Sequence, residues 1–111
     1  MEHFYESIYG FCDYLGLYKH MVKKFSSGSH FVEIGSFLGK SSVYMAVEII
    51  NSGKDIKFDC IDHWQGSKEH ESKDEINLEN LYKDFLKNID NGIKGKKIAW
   101  SSNLNCRSVD P

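Results

Sequence analysis

The chain has 111 residues, which is enough for one small domain and too few for two. Hydrophobic residues make up 41% of it and charged residues 27%, a composition typical of a folded globular protein and not of a disordered one. The formal net charge is −2 with acids and bases interspersed, so the sequence offers no basic surface of the kind that binds nucleic acid.

Apolar spacing predicts helices that alternate with short strands. In chain order, the predicted elements are helical residues 2–25 broken near Gly16, a strand at 30–34, a helix from 41 to 51–53, a strand at 56–61, a helix at 74–90 and a strand at 97–100. This alternation favours an α/β fold whose parallel strands are joined by right-handed helical crossovers. The tail from residue 101 to 111 shows no clear periodicity and is predicted to add no further strand.

The turn after the first predicted strand carries the clearest functional pattern. Glu33 and an isoleucine lead into residues 35–41, G-S-F-L-G-K-S, where a strand passes through two glycines into a helix. Gly35 lets the backbone approach a ligand, Gly39 permits the reversal, and Ser41 can cap the helix. Only three residues separate the glycines, which is one too few for a P-loop, and the dinucleotide fingerprint G-x-G-x-x-G is absent. A carboxylate before the turn suits a ligand with an ammonium group, and the alternative is a plain helix-capping turn.

A second group of candidate residues follows the second predicted strand. Asp62 stands at about the distance from Gly39 at which nucleotide-binding α/β domains place the acid that accepts both ribose hydroxyls. The indole of Trp64 can cover an adenine face, or it can anchor the loop by packing. His63 and residues 69–71 match no zinc-ligand spacing, so we predict a solvated polar loop and no metal site.

Together these segments resemble the class I S-adenosylmethionine-dependent methyltransferases, and more closely a small bacterial and phage subgroup with the pattern F-V-E-I-G-x-x-x-G-K-S. Residues 31–42 match this pattern, residues 61–70 are similar to the subgroup's D-x-W-x-G-S-x-E-H segment, and residues 13–22 resemble its leading helix. The resemblance implies a Rossmann-like, three-layer parallel sheet with S-adenosylmethionine as cofactor. Gly35, Ser36 and Phe37 would line its methionine part, Asp62 would hold the ribose, Trp64 would lie beside adenine, and Ser102 would contact the adenine edge. With the residues of the turn, the predicted cofactor-binding set is Glu33, Gly35, Ser36, Phe37, Gly39, Ser41, Asp62, His63, Trp64 and Ser102.

The resemblance ends before the tail. Such enzymes continue with a fourth strand beside the first, and nothing after Trp100 matches it, so we expect a sheet truncated after about three strands. Residues 1–111 would form one partial domain, with leading helices in 1–25 and the cofactor-binding half in 30–100. The first strand would then be an unpaired edge, which predicts marginal stability and a homodimer through that edge.

Several questions stay open at this level. The methyl acceptor and any catalytic base are unassigned, because the residues that would choose them are missing. The alternatives are a non-catalytic fragment or interaction module of the same fold and, less favoured, a P-loop-like nucleotide-binding protein. Three widely spaced cysteines, no secretion signal and no apolar run of about 20 residues predict a cytoplasmic protein without a membrane segment.

Overall fold

The structure, a computed structural model, describes residues 1–64, 80–96 and 98–109. Its helices are α1 (Leu15–Lys24), α2 (Lys40–Ser52) and α3 (Leu81–Gly92), its strands are β1 (His30–Ile34), β2 (Lys57–Asp62) and β3 (Leu104–Ser108), and short 3-10 turns lie at Tyr5–Ser7, Lys94–Lys96 and Ala99–Asn103. The three strands form a parallel sheet in the order β1-β2-β3, which confirms the α/β class and the parallel connections. Among the described residues, no helix is both long and apolar enough to cross a membrane.

The two faces of the sheet are covered very differently. One face carries the rows Phe31–Phe58–Leu104 and Glu33–Cys60–Cys106, which the register places side by side. The residues between those rows point to the opposite face, where Val32 is 53% and Ile34 83% exposed. Helices α1 and α2 both donate hydrogen bonds to Glu33, so they lie on the first face. The described residues therefore show helices α1 and α2 on one face of the sheet, and the three-layer, Rossmann-like arrangement stays a prediction.

Helix α2 is the centre of the core. Every residue from Ser42 to Val47 is buried, as is Ile49, because the helix packs against α1 and shares one apolar cluster with residues of the sheet and of α3. It begins after Gly39 and ends before Gly53, and both glycines adopt left-handed backbone angles, with φ of 94° and 72°. The predicted helix from residue 41 to 53 is confirmed to within one residue at each end, as are the first two strands.

Two predicted elements differ from the structure at the ends of the chain. The predicted helix over residues 2–25 is wrong in its first half, because only Leu15–Lys24 is α-helical and Gly10 turns the chain with a φ of +144°. The third strand is not at 97–100 but at Leu104–Ser108. Trp100 has a different role from the one predicted: its indole Nε1 donates to the carbonyl oxygen of Ile56, the residue before β2, at 2.7 Å. The start of the predicted helix at 74–90 lies outside the described residues.

Candidate functional site

The turn between β1 and α2 has a tightly specified backbone. Gly35 and Gly39 have φ values of +90° and +94°, and Phe37 between them has +51°, a conformation uncommon for a residue with a side chain. The amide of Gly39 donates to the carbonyl of Ser36 at 2.9 Å, which closes the turn. Strained backbone of this kind persists where its surroundings over-determine it, as they do at many ligand sites.

Asp62 supplies the restraint that holds Phe37. Its Oδ2 accepts the Phe37 amide at 2.9 Å, and its Oδ1 accepts the amide of Trp64 at 3.0 Å. The carboxylate at the end of β2 therefore ties the β1–α2 turn to the chain that follows β2. His63 lies beside it, with its Nδ1 3.8 Å from Oδ1. Each oxygen of a carboxylate has two lone pairs, so the ribose contact predicted for Asp62 remains chemically available.

Glu33 is the most buried acid near the turn, with only 7% of its surface exposed. Its Oε2 accepts the Tyr18 hydroxyl at 2.6 Å and the Ser41 hydroxyl at 2.8 Å, while its Oε1 accepts a short hydrogen bond from Ser42. No lysine, arginine or histidine forms an ion pair with this carboxylate in the described ranges. Three hydroxyl groups therefore hydrogen-bond this carboxylate, and the described residues form no ion pair with it.

The pKa of Tyr18 reflects this arrangement. Burial of the phenol raises the pKa well above its ordinary value, and the adjacent Glu33 carboxylate raises it further. Tyr18 therefore stays neutral over the ordinary pH range and acts as a hydrogen-bond donor to Glu33. Tyr18 is not among the residues that the sequence predicts for the site.

A cavity of about 330 Å³ opens at the carboxyl end of β1, beside Glu33. The lining comes from the segment that precedes and starts α1, from the end of β1 and from the start of α2: Phe11, Cys12, Asp13, Tyr14, Leu15, Tyr18, Glu33, Ile34, Gly35 and Ser41. Of the predicted site residues, Glu33, Gly35 and Ser41 line this cavity. The residues before β1 were missed as lining residues, although the tyrosines at 14 and 18 share a helical spacing that places them on one side.

Trp64 occupies a different environment from the one predicted for an adenine contact. Its residue surface is 4% exposed, and its ring packs against Tyr82 and Phe85 with centroid distances of 4.4 and 4.6 Å. The indole Nε1 donates to the carbonyl of Phe37 at 2.6 Å. This placement favours the packing interpretation of Trp64, so the adenine contact stays a prediction that requires the indole to move.

Ser36 and Ser102 lie away from the cavity lining. The Ser36 side chain is buried, and its Oγ has no hydrogen-bond partner among the described residues.

Ser102 belongs to the turn that precedes β3, at the amino end of that strand, whereas the cavity lies at the carboxyl end of the sheet. The predicted position of the third strand was wrong, and the observed position places Ser102 at the opposite end of the sheet from the cavity. The residues at the carboxyl end of β3 are Ser108 and Val109, and the Val109 amide donates to the carbonyl of Asp62 at 3.0 Å.

No protein-family model matches this chain, and no curated protein sequence is significantly similar to it. Within the described ranges, no three histidine, cysteine or acidic side chains come together as a metal site would require. The geometry at the carboxyl end of β1 is therefore the basis for assigning a function.

Proposed function

We propose that this chain binds S-adenosylmethionine at the carboxyl end of β1, as the cofactor-binding part of a Rossmann-like methyltransferase with an unassigned acceptor. The Glu33 carboxylate carries the proposal. It is 7% exposed, it lines the cavity, and no cationic side chain of the described residues pairs with it.

A positively charged group on a ligand would form the ion pair that this buried carboxylate lacks among the described residues. Removing a charge from water costs several kcal/mol even after relaxation, and hydroxyl donors offset only part of that cost. S-adenosylmethionine carries two positive groups, an ammonium and a sulfonium, close together in its methionine part. Asp13 stands at the exposed rim of the same cavity and adds a second negative charge.

The neighbouring residues fit the same ligand. Gly35 lines the cavity, and an added Cβ there would meet no atom within 4 Å, so ligand atoms can approach this backbone. Phe11 and Tyr14 are 68% and 70% exposed and place aromatic rings at the rim. Ligands of open α/β sheets bind outside the carboxyl ends of the strands, which is where this cavity lies.

S-adenosylmethionine, when bound, supplies an activated methyl group. Three side chains would then hold and orient this methyl donor. Glu33 and Asp13 would bind its ammonium group, and Asp62 would accept hydrogen bonds from its ribose hydroxyls. Orientation is the main contribution that a protein makes to an in-line transfer of this kind. We assign no catalytic base.

A second function, that of a non-catalytic interaction module, is favoured by the open face of the sheet. Val32 and Ile34 are exposed there, on a strand that pairs with β2 alone among the described strands. Such a module would bind another protein chain and would not need the cavity. Binding of S-adenosylhomocysteine, which only the first function requires, separates the two.

The test is calorimetric titration of the chain with S-adenosylhomocysteine and with methylthioadenosine, which lacks the amino-acid part. If carboxylates hold the ammonium, S-adenosylhomocysteine binds more tightly by about tenfold. Asp13→Asn should weaken S-adenosylhomocysteine binding by about three- to tenfold and leave methylthioadenosine unchanged. Asp90→Asn on α3, which removes the same charge away from the cavity, should change neither ligand.

Asp13 is a better residue to substitute than Asp62, because its side chain has no second structural role among the described residues. Asp62→Ala would lose binding for two reasons, because Asp62 also holds the Phe37 and Trp64 amides. Asp13 is exposed and is tied to no core contact of this kind. Equal affinity for the two ligands, or no binding by a chain that melts cooperatively, would contradict the proposal. Tighter binding of Mg-ATP than of S-adenosylhomocysteine would instead support the P-loop alternative.

A further inference from the structure

Two of the three cysteines are neighbours on adjacent strands of the sheet. The register pairs Cys60 of β2 with Cys106 of β3, so both side chains lie on the helix-covered face. Neighbouring strands are about 4.8 Å apart, and disulfides join residues whose Cα atoms are about 4.4 to 6.8 Å apart. The two thiols are free in this structure, and the spacing of their strands falls within the Cα separation that a disulfide spans.

The two thiols have unequal environments. Cys60 is fully buried, whereas Cys106 is only partly buried. The interaction between the two neighbouring thiols raises the pKa of Cys60 and lowers the pKa of Cys106. The nearby Lys94 ammonium also lowers the pKa of Cys106. Cys106 is therefore the more accessible sulfur and the one that more readily becomes a thiolate.

We propose that Cys60 and Cys106 form an oxidisable dithiol that reacts with peroxides. The Cys106 thiolate attacks one oxygen of hydrogen peroxide, the O–O bond breaks, and the sulfur becomes a sulfenic acid while hydroxide leaves and takes up a proton as water. The Cys60 sulfur then attacks the Cys106 sulfur. The S–O bond breaks, and the hydroxyl leaves as a second water with the Cys60 proton. Two thiols and one peroxide thus yield one disulfide and two waters.

The third cysteine provides the contrast within the same chain. Cys12 belongs to the segment before α1, and burial raises its pKa. It has no register partner, so oxidation there would stop at the sulfenic acid or join two molecules. The position of the disulfide therefore distinguishes the proposed dithiol from general oxidation.

The experiment uses the full chain with Cys12→Ser, treated with hydrogen peroxide and analysed by intact mass spectrometry and tryptic mapping. We expect a loss of about 2 Da that dithiothreitol reverses, and a cross-link between the tryptic peptides 58–68 and 98–107. Adding Cys60→Ser should abolish the loss and leave a sulfenic acid on Cys106 that dimedone traps. Adding Cys106→Ser should abolish both products.

Two results would overturn the proposal. One is a Cys12→Ser chain that shows no 2 Da loss while peroxide oxidises its methionines. The other is a disulfide found only between molecules. Peptide mapping of the Cys12→Ser chain needs no substitution in the core, so the proposal is testable even where Cys60→Ser prevents folding.

Discussion

Gly39 occupies the most restricted backbone position of the β1–α2 turn. Its φ is +94°, and a Cβ placed on it would lie 3.1 Å from a ring carbon of Phe85 on α3. We expect Gly39→Ala to lower the free energy of unfolding by about 1–3 kcal/mol, because it adds both backbone strain and crowding. Urea unfolding of the wild type and the variant measures this difference.

Gly28 is the matched control for Gly39. Its φ is +96°, nearly the same, and a Cβ there would meet no atom within 4 Å. Gly28→Ala therefore measures the cost of the backbone conformation alone. If the two alanine variants are equally destabilised, the contact with Phe85 does not restrict residue 39, and our account of this position is wrong.

Tyr18 gives the chain a specific response to alkaline pH. Because the folded pKa lies above the unfolded value of about 10, the unfolded chain releases this proton first. Its contribution to stability is complete below about pH 10 and falls as the pH rises further. The urea midpoint of the wild type should begin to drop near about pH 10 and should continue to fall as the pH rises further.

Tyr18→Phe isolates this contribution. The variant cannot donate to Glu33, so it should be less stable than the wild type near neutral pH and should lose less stability above pH 10. Part of the alkaline slope should remain, because burial also raises the pKa of Tyr44. An identical slope in wild type and variant would show that Tyr18 is not responsible.

At the scale of elements, Lys54 ends helix α1 from outside that helix. Its Nζ donates to the carbonyl oxygens of Val22, Lys23 and Phe25 at 2.6, 3.1 and 2.8 Å. These are among the last carbonyls of the helix, which lack partners within it. Lys54→Met should destabilise the chain by about 1–2 kcal/mol, as measured by urea unfolding.

Lys23→Met is the control for Lys54. It removes a positive charge from the last turn of the same helix, but the Lys23 side chain is exposed. We expect a change of less than about 0.5 kcal/mol. A loss as large as that of Lys54→Met would mean that charge near the helix end, and not the hydrogen bonds of Lys54, stabilises α1.

The contrast between β1 and β3 shows which elements can be predicted from the sequence. Strand β1 is followed by a glycine turn and a helical repeat, and these local signals located it correctly. Strand β3 alternates Leu104 and Cys106 with the exposed Asn105 and Arg107. That alternation is typical of a strand with one covered face, but it is short and polar. The residues at 97–100 are more apolar, so the sequence pattern favours a strand there instead.

The candidate site shows the same division between local and tertiary information. The strand-turn-helix pattern identified Glu33 and Gly35, since a strand that ends in a glycine turn is a local signal. Asp13 and Tyr14 reach the cavity because α1 packs against α2 and bonds through Tyr18 to Glu33, and no local pattern encodes that packing. The burial of Trp64 against Phe85 likewise depends on how α3 docks, which periodicity alone does not reveal.

At the scale of the whole molecule, the sheet combines one buried face with one open face. Asp59 is the exception on the open face: it is 7% exposed, and its Oδ2 accepts from Arg107 at 3.0 Å and lies 3.2 Å from a His30 nitrogen. These charged and polar side chains cover the middle of the open face, where apolar side chains would otherwise favour association. The β1 edge, with Val32 and Ile34, has no comparable charged cover among the described residues.

We expect this edge to drive self-association of the chain. An edge strand presents unpaired N–H and C=O groups, and exposed apolar side chains on it favour pairing with another strand. A lysine on the strand opposes such pairing, so Val32→Lys should shift the chain toward monomer in sedimentation velocity over a range of concentrations. Val32 does not line the cavity, so the ligand site stays intact.

Val109→Lys is the matched control, because Val109 is similarly exposed at 46% but follows β3 at the other edge of the sheet. If the wild type is monomeric at all concentrations, or if both lysines dissociate it equally, the β1 edge is not the interface.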